Sequence, residues 1–289
     1  MRSSLTETTS RYRRRKMVDR VMTAVAYACT ALAIIPLVWI ILYTVYQGLS
    51  AWDVGFFTEL PQRYGDGGGV RNGIVGTLVV TGLATLMGVP VGVMAGIYLA
   101  EYGDNRLGYV IRFMADTMTG IPSIVVGLFA FGLIVGLTGS FSALAGAFAL
   151  AVLMIPVITR TTEEMIRLVP GSIREASLGL GVSRWKTIMR VVVPTALSGI
   201  VTGVLLSVAR VAGETAPLIL TIFGTNFPVS ANLVSEPYTT LSLQIYQLGA
   251  LPSPEVRRVA WGAALLLIII VLGTSILARV IFRGQNVRR

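Results

Sequence analysis

Arg210 and Glu214 are charged residues in a stretch of sequence that is otherwise apolar. If a membrane span begins after Pro194, Arg210 lies 16 residues into it. At about 1.5 Å per residue this is roughly 24 Å, in the outer half of a bilayer. A charge at that depth is costly and usually faces a cavity or a partner. Glu214 follows four residues later, so both side chains are expected on one face of the helix.

The guanidinium group of Arg210 suits an oxyanion such as phosphate, because its planar fork donates two parallel hydrogen bonds. The alternative is a structural pair in which Arg210 and Glu214 neutralise each other, although Arg before Glu is the less favourable order at this spacing. We therefore predict that Arg210 faces a substrate path and that Glu214 orients it or responds to proton or anion occupancy. Thr119 and Ser123 are weaker candidates for the same path, because Pro122 frees a backbone carbonyl beside them.

The composition of the chain is that of a membrane protein. Of its 289 residues 54% are hydrophobic and 13% are charged, and the mean hydropathy is +0.75, whereas soluble domains carry about 25% charged residues. The chain has no histidine and a single cysteine, Cys29, which excludes the usual zinc ligands and an intrachain disulfide. The net charge of +10 sits in clusters beside apolar runs, a pattern typical of membrane topology and not of nucleic-acid binding.

Six apolar segments are long enough to cross about 30 Å of hydrocarbon. They lie near residues 21–46, 74–99, 119–137, 141–159, 195–214 and 259–282. A tight polar turn at 138–140 joins the third to the fourth. Gly88, Gly92 and Gly96 repeat every four residues and predict a face for close helix packing. The predicted fold class is therefore an all-α membrane protein with six transmembrane helices.

The distribution of Lys and Arg predicts the orientation. With the N-terminus inside, 19 of the 24 basic residues fall in cytoplasmic segments and four in outer segments, while Arg210 lies within a span. This split follows the positive-inside rule. We predict that both termini are cytoplasmic, with residues 1–20 as an N-terminal tail, 21–46 as the first transmembrane helix and 284–289 as a C-terminal tail.

Two connections are longer than a turn needs, and long ordered loops tend to be functional. One is the cytoplasmic loop 160–194 and the other is the outer connection 215–258. The outer one contains an apolar stretch at 217–223, which is compatible with a re-entrant segment. Such a segment is tolerated only where protein or a cavity shields its backbone.

The cytoplasmic loop reads as short helices separated by breaks. Thr161–Glu164 offers hydroxyls and acids suited to a helix start, Pro170 and Gly171 break that helix, and Ser172 is placed to cap the next. Gly179 and Gly181 permit a turn, after which a helix resumes at 182–190. Pro194 marks the start of the fifth span, where a missing N–H costs little. A pair of helices like this suits docking to another protein or resting on lipid headgroups, and composition alone favours neither.

The spacing in this loop resembles the EAA loop of the ABC importer permease family. The family pattern is Glu-Ala-Ala, three residues, Gly, nine residues, Ile-x-Leu-Pro. Here Glu175-Ala176-Ser177 is followed at the same intervals by Gly181 and by Val191-x-Val193-Pro194. The resemblance implies that the loop is a coupling helix fitting a groove on an ATPase subunit. It also implies that the residues of this contact are Glu175, Ala176, Ser177, Gly181 and Pro194.

Four further segments resemble the phosphate-specific branch of this family, the PstA permeases. They are Gly120–Phe129, Ala209–Pro217, Tyr98–Tyr102 and the start of the sixth span at Trp261. The resemblance covers roughly residues 20 to 283. It implies the type I ABC importer permease fold, with 73–283 as the transport domain and 160–194 as its coupling loop. The sister branch PstC shares the Pro-Ser and Arg…Gly-Glu elements, so the two branches are not fully separated by these residues.

The resemblance implies a permease subunit, not an enzyme, that moves inorganic phosphate across the cytoplasmic membrane of a prokaryote by alternating access. It implies three partners: a PstC-like sister permease, two copies of a PstB-like ATPase, and a PstS-like extracytoplasmic phosphate-binding protein. The chain lacks a P-loop, since its only lysines are Lys16 and Lys186 and neither lies in that motif. ATP and magnesium are therefore expected on the ATPase subunit, with no cofactor or metal on this chain.

Three alternatives stay open at the level of sequence. One is an ABC importer permease for another oxyanion or solute. A second is a secondary transporter, which should show inverted repeats or broken helices in matching halves; we see no such symmetry. A third is a membrane-embedded enzyme, which would need clustered acids, histidines or metal ligands in its spans, where only Arg210 and Glu214 qualify.

Overall fold

The computed structural model describes residues 4–62 and 67–283, with side chains for 11–62 and 67–276. This part of the chain is helical apart from loops and two isolated β-bridges. Its helices are α1 (Ser4–Leu49), α2 (Val54–Thr58), α3 (Arg71–Tyr102), α4 (Arg106–Thr119), α5 (Ser123–Ala130), α6 (Gly136–Thr138), α7 (Ala143–Arg167), α8 (Gly171–Gly179), α9 (Arg184–Thr187), α10 (Val193–Ala212), α11 (Ala216–Thr221), α12 (Leu241–Gly249) and α13 (Pro254–Arg283). Two π-helical turns, Phe131–Val135 and Ile188–Val192, join α5 to α6 and α9 to α10.

The chain divides into two compact units, Met1–Gln47 and Gly48–Arg289. In the first unit the helix begins at Ser4, so the described part of the expected tail at 1–20 is helical and continuous with the first span. The packing contacts and the sites described below all lie in the second unit. Arg63 and the expected C-terminal tail 284–289 lie outside the described residues.

Five helical segments in the described part of the chain are long and apolar enough to cross a membrane. They are Arg11–Leu49, Arg71–Tyr102, Ala143–Arg167, Arg184–Ala212 and Pro254–Ile276. A sixth is present if α4 and the segment Ser123–Thr138 count as one broken span, bent by 107°. This confirms the all-α membrane fold, with a break in the third of the six predicted spans.

The break corrects our interpretation of residues 100–123. We expected a loop followed by a span at 119–137, but residues 106–119 form helix α4 and the bend falls at 120–122. Asn105 starts α4, because its side chain accepts a hydrogen bond from the Gly108 backbone at 2.9 Å. Pro122 has an extended backbone (ψ 134°). Its ring disfavours a helical conformation of the preceding residue, so α4 ends before it.

Helices α3 and α7 pack closely along the predicted glycine face. Gly88, Gly92 and Gly96 are all buried. A Cβ atom at Gly92 would come within 2.8 Å of Ile158, and one at Gly96 within 2.5 Å of Thr162. The absence of these side chains is what lets the two helices approach, which confirms the expected packing role.

Helix α7 is longer than its sequence indicated. Thr161–Glu164 lies inside it and not at a helix start, and Thr161 Oγ1 donates back to the Val157 carbonyl at 2.9 Å. The break expected at Pro170 and Gly171 is present, with α7 ending at Arg167 and α8 beginning at Gly171. No side chain caps α8, so the capping role predicted for Ser172 is wrong. The turn before the next helix is confirmed, with Gly181 at φ +79°.

Pro194 is the second residue of α10, in the first turn of that helix, where a missing N–H costs little. This agrees with the expectation that Pro194 marks the start of the fifth span. The helical backbone nevertheless extends further back, because α9 and the π-helical turn Ile188–Val192 continue it to Arg184.

The outer connection contains two helices, α11 and α12. The apolar stretch at 217–223 includes α11, and its residues Leu218 and Ile222 are fully buried in the main hydrophobic core. A Cβ atom at Gly127 of α5 would come within 2.5 Å of Pro217. The backbone of this stretch is therefore shielded by α5 and α7, which is the condition for a non-spanning apolar segment.

Candidate functional site

One cavity of about 110 Å³ brings together Thr119, Ser123, Arg210 and Glu214. These are the four residues that the sequence suggested for a substrate path. Each comes from the end of an element: Thr119 closes α4, Ser123 opens α5, Arg210 lies in the last turn of α10, and Glu214 follows that helix. The rest of the lining consists of Met118, Ile121, Leu153, Val157, Ser207 and Val211.

The bend between α4 and α5 and the end of α10 build this cavity. Helix α10 packs on α7, since a Cβ atom at Gly203 would come within 2.7 Å of Thr161. The last turns of α10 therefore lie beside Leu153 and Val157, midway along α7. Because α5 begins at Ser123, the positive end of its dipole and its first backbone N–H groups lie at the cavity.

Arg210 and Glu214 do not form an ion pair with each other. We expected both on one helix face, but α10 ends at Ala212 and Glu214 lies beyond it. Neither side chain has a hydrogen-bond or ion-pair partner among the described side chains. Glu214 is held by its backbone instead, where its carbonyl accepts from Ser242 Oγ at 2.8 Å. The self-neutralising pair that the sequence left open is therefore not formed.

This arrangement can bind an anion but offers little for bond-breaking chemistry. The guanidinium group supplies a forked donor, and the hydroxyls of Thr119 and Ser123 supply further polar contacts. Thr119 Oγ1 donates to the Asp116 carbonyl at 2.6 Å, so its oxygen is oriented and can still accept.

A second group of charges, which sequence reasoning missed, surrounds Glu163 on α7. The carboxylate of Glu163 is only 5% exposed and accepts from Arg112 Nε at 2.7 Å, Arg167 Nη2 at 2.9 Å and Arg160 Nη1 at 3.1 Å. Arg160 also pairs with Asp116 of α4. We call these five residues the Glu163 cluster. The spacing of Arg160, Glu163 and Arg167 along one helix face was the available signal, and it was hidden by assigning Glu163 to a helix start.

The EAA-like hairpin consists of α8, the turn at Leu180 and Gly181, and α9. Glu175, Ala176 and Gly181 are exposed, as is Leu180, which is 84% exposed. Ser177 is buried and shares a hydrogen bond of 2.9 Å with Thr187, so it joins the two arms of the hairpin. Among the residues that resemblance assigned to ATPase contact, Glu175, Ala176 and Gly181 are thus on the accessible surface. Pro194 lies apart from them, inside the long helix.

Residues 88–287 match the family described as "Binding-protein-dependent transport system inner membrane component". The chain belongs to this family. Two relatives are the phosphate transport system permease protein PstA of Haemophilus influenzae, 40% identical over 94% of this chain and 96% of the relative, and PstA 1 of Mycobacterium tuberculosis H37Rv, 41% identical over 93% and 88%. These identities place the chain among the PstA permeases.

Solved structures agree on the fold. The MetNI methionine ABC transporter has a chain with a TM-score of 0.62 and 20% identity, covering 73% of this chain and 94% of its own length. A bacterial alginate ABC transporter in complex with its alginate-loaded periplasmic protein gives a TM-score of 0.66 at 14% identity, covering 94% and 96%. At such identities the likeness concerns the fold, which is that of type I ABC importer permeases.

Membership of the family fixes the general role of the chain. It is a multi-pass membrane permease subunit of an ABC importer, and it is not an enzyme. Importers of this family work with an ATPase and a substrate-binding protein.

Proposed function

We propose that this permease carries inorganic phosphate across the cytoplasmic membrane of a prokaryote and that the anion passes the cavity at Arg210. The observation that carries the proposal is the unpaired guanidinium group of Arg210 in a cavity that also contains two hydroxyls and a helix N-terminus. An unpaired charge within a membrane span is energetically costly. A bound anion would compensate this charge. The names of the PstA relatives support phosphate as that ligand.

In this proposal each polar group of the cavity has its own task. Arg210 donates two parallel hydrogen bonds to two phosphate oxygens. Glu214 accepts a hydrogen bond from a protonated phosphate oxygen, because an ionised carboxylate only accepts and repels an oxygen that carries no proton. Thr119 and Ser123 contact the anion as it moves past the bend between α4 and α5.

The partners in this proposal are a PstC-like sister permease, two PstB-like ATPase subunits and a PstS-like phosphate-binding protein. The exposed residues Glu175, Ala176 and Gly181 of the EAA-like hairpin contact the ATPase, which holds ATP and magnesium. Closure of the ATPases pulls on the hairpin and opens the bundle outward, and hydrolysis returns it. The predicted orientation, with both termini cytoplasmic, places the hairpin on the side where the ATPase works.

The test is the variant Arg210→Gln in the assembled transporter. Hydrogen bonds to charged groups contribute about 1.5–3 kcal/mol each, so loss of two predicts at least about a hundredfold slower uptake of labelled phosphate. The ATPase and the sister permease should still co-purify. Arg258→Gln is the matched control, since Arg258 is half-exposed and has only a long contact of 3.9 Å to Glu255. Near-normal phosphate uptake by Arg210→Gln would show that the anion does not pass the cavity. If the unaltered transporter takes up another solute and phosphate does not compete with that uptake, the alternative substrate is supported.

A further inference from the structure

The end of α3 is held by arginines from two other elements. The last carbonyls of a helix have no partner within the helix and carry partial negative charge. Arg112 of α4 donates to the Leu99 carbonyl at 2.8 Å and to the Gly103 carbonyl at 3.0 Å. Arg184 of α9 donates to the carbonyl of Glu101. The end of α3 therefore contacts both α4 and the EAA-like hairpin.

The side chain of Glu101 holds the other arm of the hairpin. Its carboxylate is 7% exposed and accepts from Arg174 of α8 through Nη2 at 2.9 Å and Nε at 3.0 Å. Arg174 also donates to the Ile166 carbonyl at the end of α7, at 2.8 Å. Glu101 thus contacts both arms of the hairpin, α8 through its carboxylate and α9 through its backbone. The guanidinium group of Arg184 adds a contact over the Tyr102 ring at 4.6 Å.

The same helix end connects to the cavity. Arg112, which holds the end of α3, lies on α4 and is paired with Glu163 of α7. Helix α4 ends at Thr119, on the wall of the cavity. Charged contacts therefore run from the hairpin through Glu101 and the end of α3 to Arg112, and helix α4 continues from Arg112 to Thr119 at the cavity.

We propose that Glu101 is a positioning residue that transmits movement of the EAA-like hairpin to α4 and the cavity. The proposal rests on the proposed function, in which the ATPase moves that hairpin. Arg174 is the one arginine paired with the Glu101 carboxylate among the described side chains. A buried carboxylate cannot leave its partner without becoming an uncompensated charge, so the Glu101–Arg174 pair moves as a unit. Without the pair the hairpin still binds the ATPase through its exposed residues, but its displacement reaches α3 and α4 incompletely.

The experiment compares five variants with the unaltered chain in the complete transporter, reconstituted with its ATPase and its phosphate-loaded binding protein. Glu101→Gln and Arg174→Gln each remove one charge of the pair, and the double variant removes both. Glu164→Gln is the matched control, since it is the same chemical change at an exposed position near the same end of α7. Gly181→Val is the reference for lost docking, because its φ of +79° strains any residue with a Cβ atom. Co-purified ATPase, basal hydrolysis, hydrolysis stimulated by the loaded binding protein, and uptake are measured.

We expect Glu101→Gln to keep the ATPase bound and basal hydrolysis within about twofold, while stimulated hydrolysis and uptake both fall about tenfold. The double variant should be no worse than either single variant, because the two residues act as one unit. Unchanged stimulation and uptake in Glu101→Gln overturns the proposal. So does loss of the ATPase comparable to that of Gly181→Val, since Glu101 would then only hold the docking surface. If the unaltered chain binds no ATPase, the proposed function fails before the variants are compared.

Discussion

The two groups of charges in this permease differ in how they are satisfied. In the Glu163 cluster every charge has a partner, and Glu163 alone accepts from three arginines. In the cavity, Arg210 and Glu214 lie on the lining of one small space without pairing with each other or with another described side chain. The two groups are close along α4, since Asp116 belongs to the cluster and Thr119 to the cavity.

This difference supports a structural role for the Glu163 cluster and agrees with the role proposed for Arg210 and Glu214. Burying a charge costs free energy that only a partner offsets. In the Glu163 cluster, partners within the folded chain offset the cost of burying each charge, so no ligand is needed. In the cavity, Arg210 is exposed and Glu214 is partly buried, so neither charge needs a partner within this chain. In the proposed function, a phosphate ion provides complementary groups for both.

The largest expected effect is on folding, in Glu163→Gln. Breaking a buried charge pair by removing one partner costs about 3–5 kcal/mol. We expect about 3 kcal/mol here, because Arg112 keeps two carbonyl partners and Arg160 keeps Asp116. Thermal unfolding in detergent, followed by circular dichroism, should show a midpoint lower by roughly 6 °C or more.

Glu214→Gln is the matched change in the cavity. Since Glu214 has no side-chain partner to lose, the midpoint should stay within about 1 °C of the unaltered chain. Equal destabilisation by the two substitutions would contradict the distinction between the Glu163 cluster and the cavity.

A smaller effect is expected for Arg210→Lys, measured as the initial rate of phosphate uptake. Lysine keeps the positive charge but is a point charge without the planar fork, so it donates fewer oriented hydrogen bonds to the anion. We expect a rate about tenfold lower than normal and still well above that of Arg210→Gln. A rate for Arg210→Lys as low as that of Arg210→Gln would mean that geometry and not charge governs the step. A normal rate would mean that the fork is unused.

The spans were predictable because apolar length alone determines them, and the α3–α7 packing was predictable from Gly88, Gly92 and Gly96. The break at 120–122 and helix α4 were not. Residues 106–119 carry two arginines and an aspartate, which indicate a loop unless the α7 partners of Arg112 and Asp116 are known. The π-helical turn Ile188–Val192 was not predictable either, because nothing in the local sequence indicates it.

The members of the cavity were individually predictable from intramembrane polarity. That these residues lie close together was not predictable, because it depends on the bend after Thr119 and on α10 ending before Glu214. The Glu163 cluster was missed altogether. The cluster depends on contacts between α4 and α7. The sequence shows only the spacing within α7, which helix capping also explains.

The smallest effect should come from the neutral pair in the EAA-like hairpin, Ser177 with Thr187. Ser177→Ala restores the residue of the family pattern but leaves the buried Thr187 hydroxyl without its partner, which costs about 1–2 kcal/mol. The double variant Ser177→Ala with Thr187→Val removes both polar groups and should be nearly neutral. Hydrogen exchange of the amides at 171–187 measures this, with faster exchange expected in the single variant only. If exchange is equally fast in both, the hydrogen bond itself stabilises the hairpin. Loss of the Ser177–Thr187 hydrogen bond would then destabilise the hairpin in the same way as loss of a charged contact destabilises the Glu163 cluster, and only the size of the effect would differ.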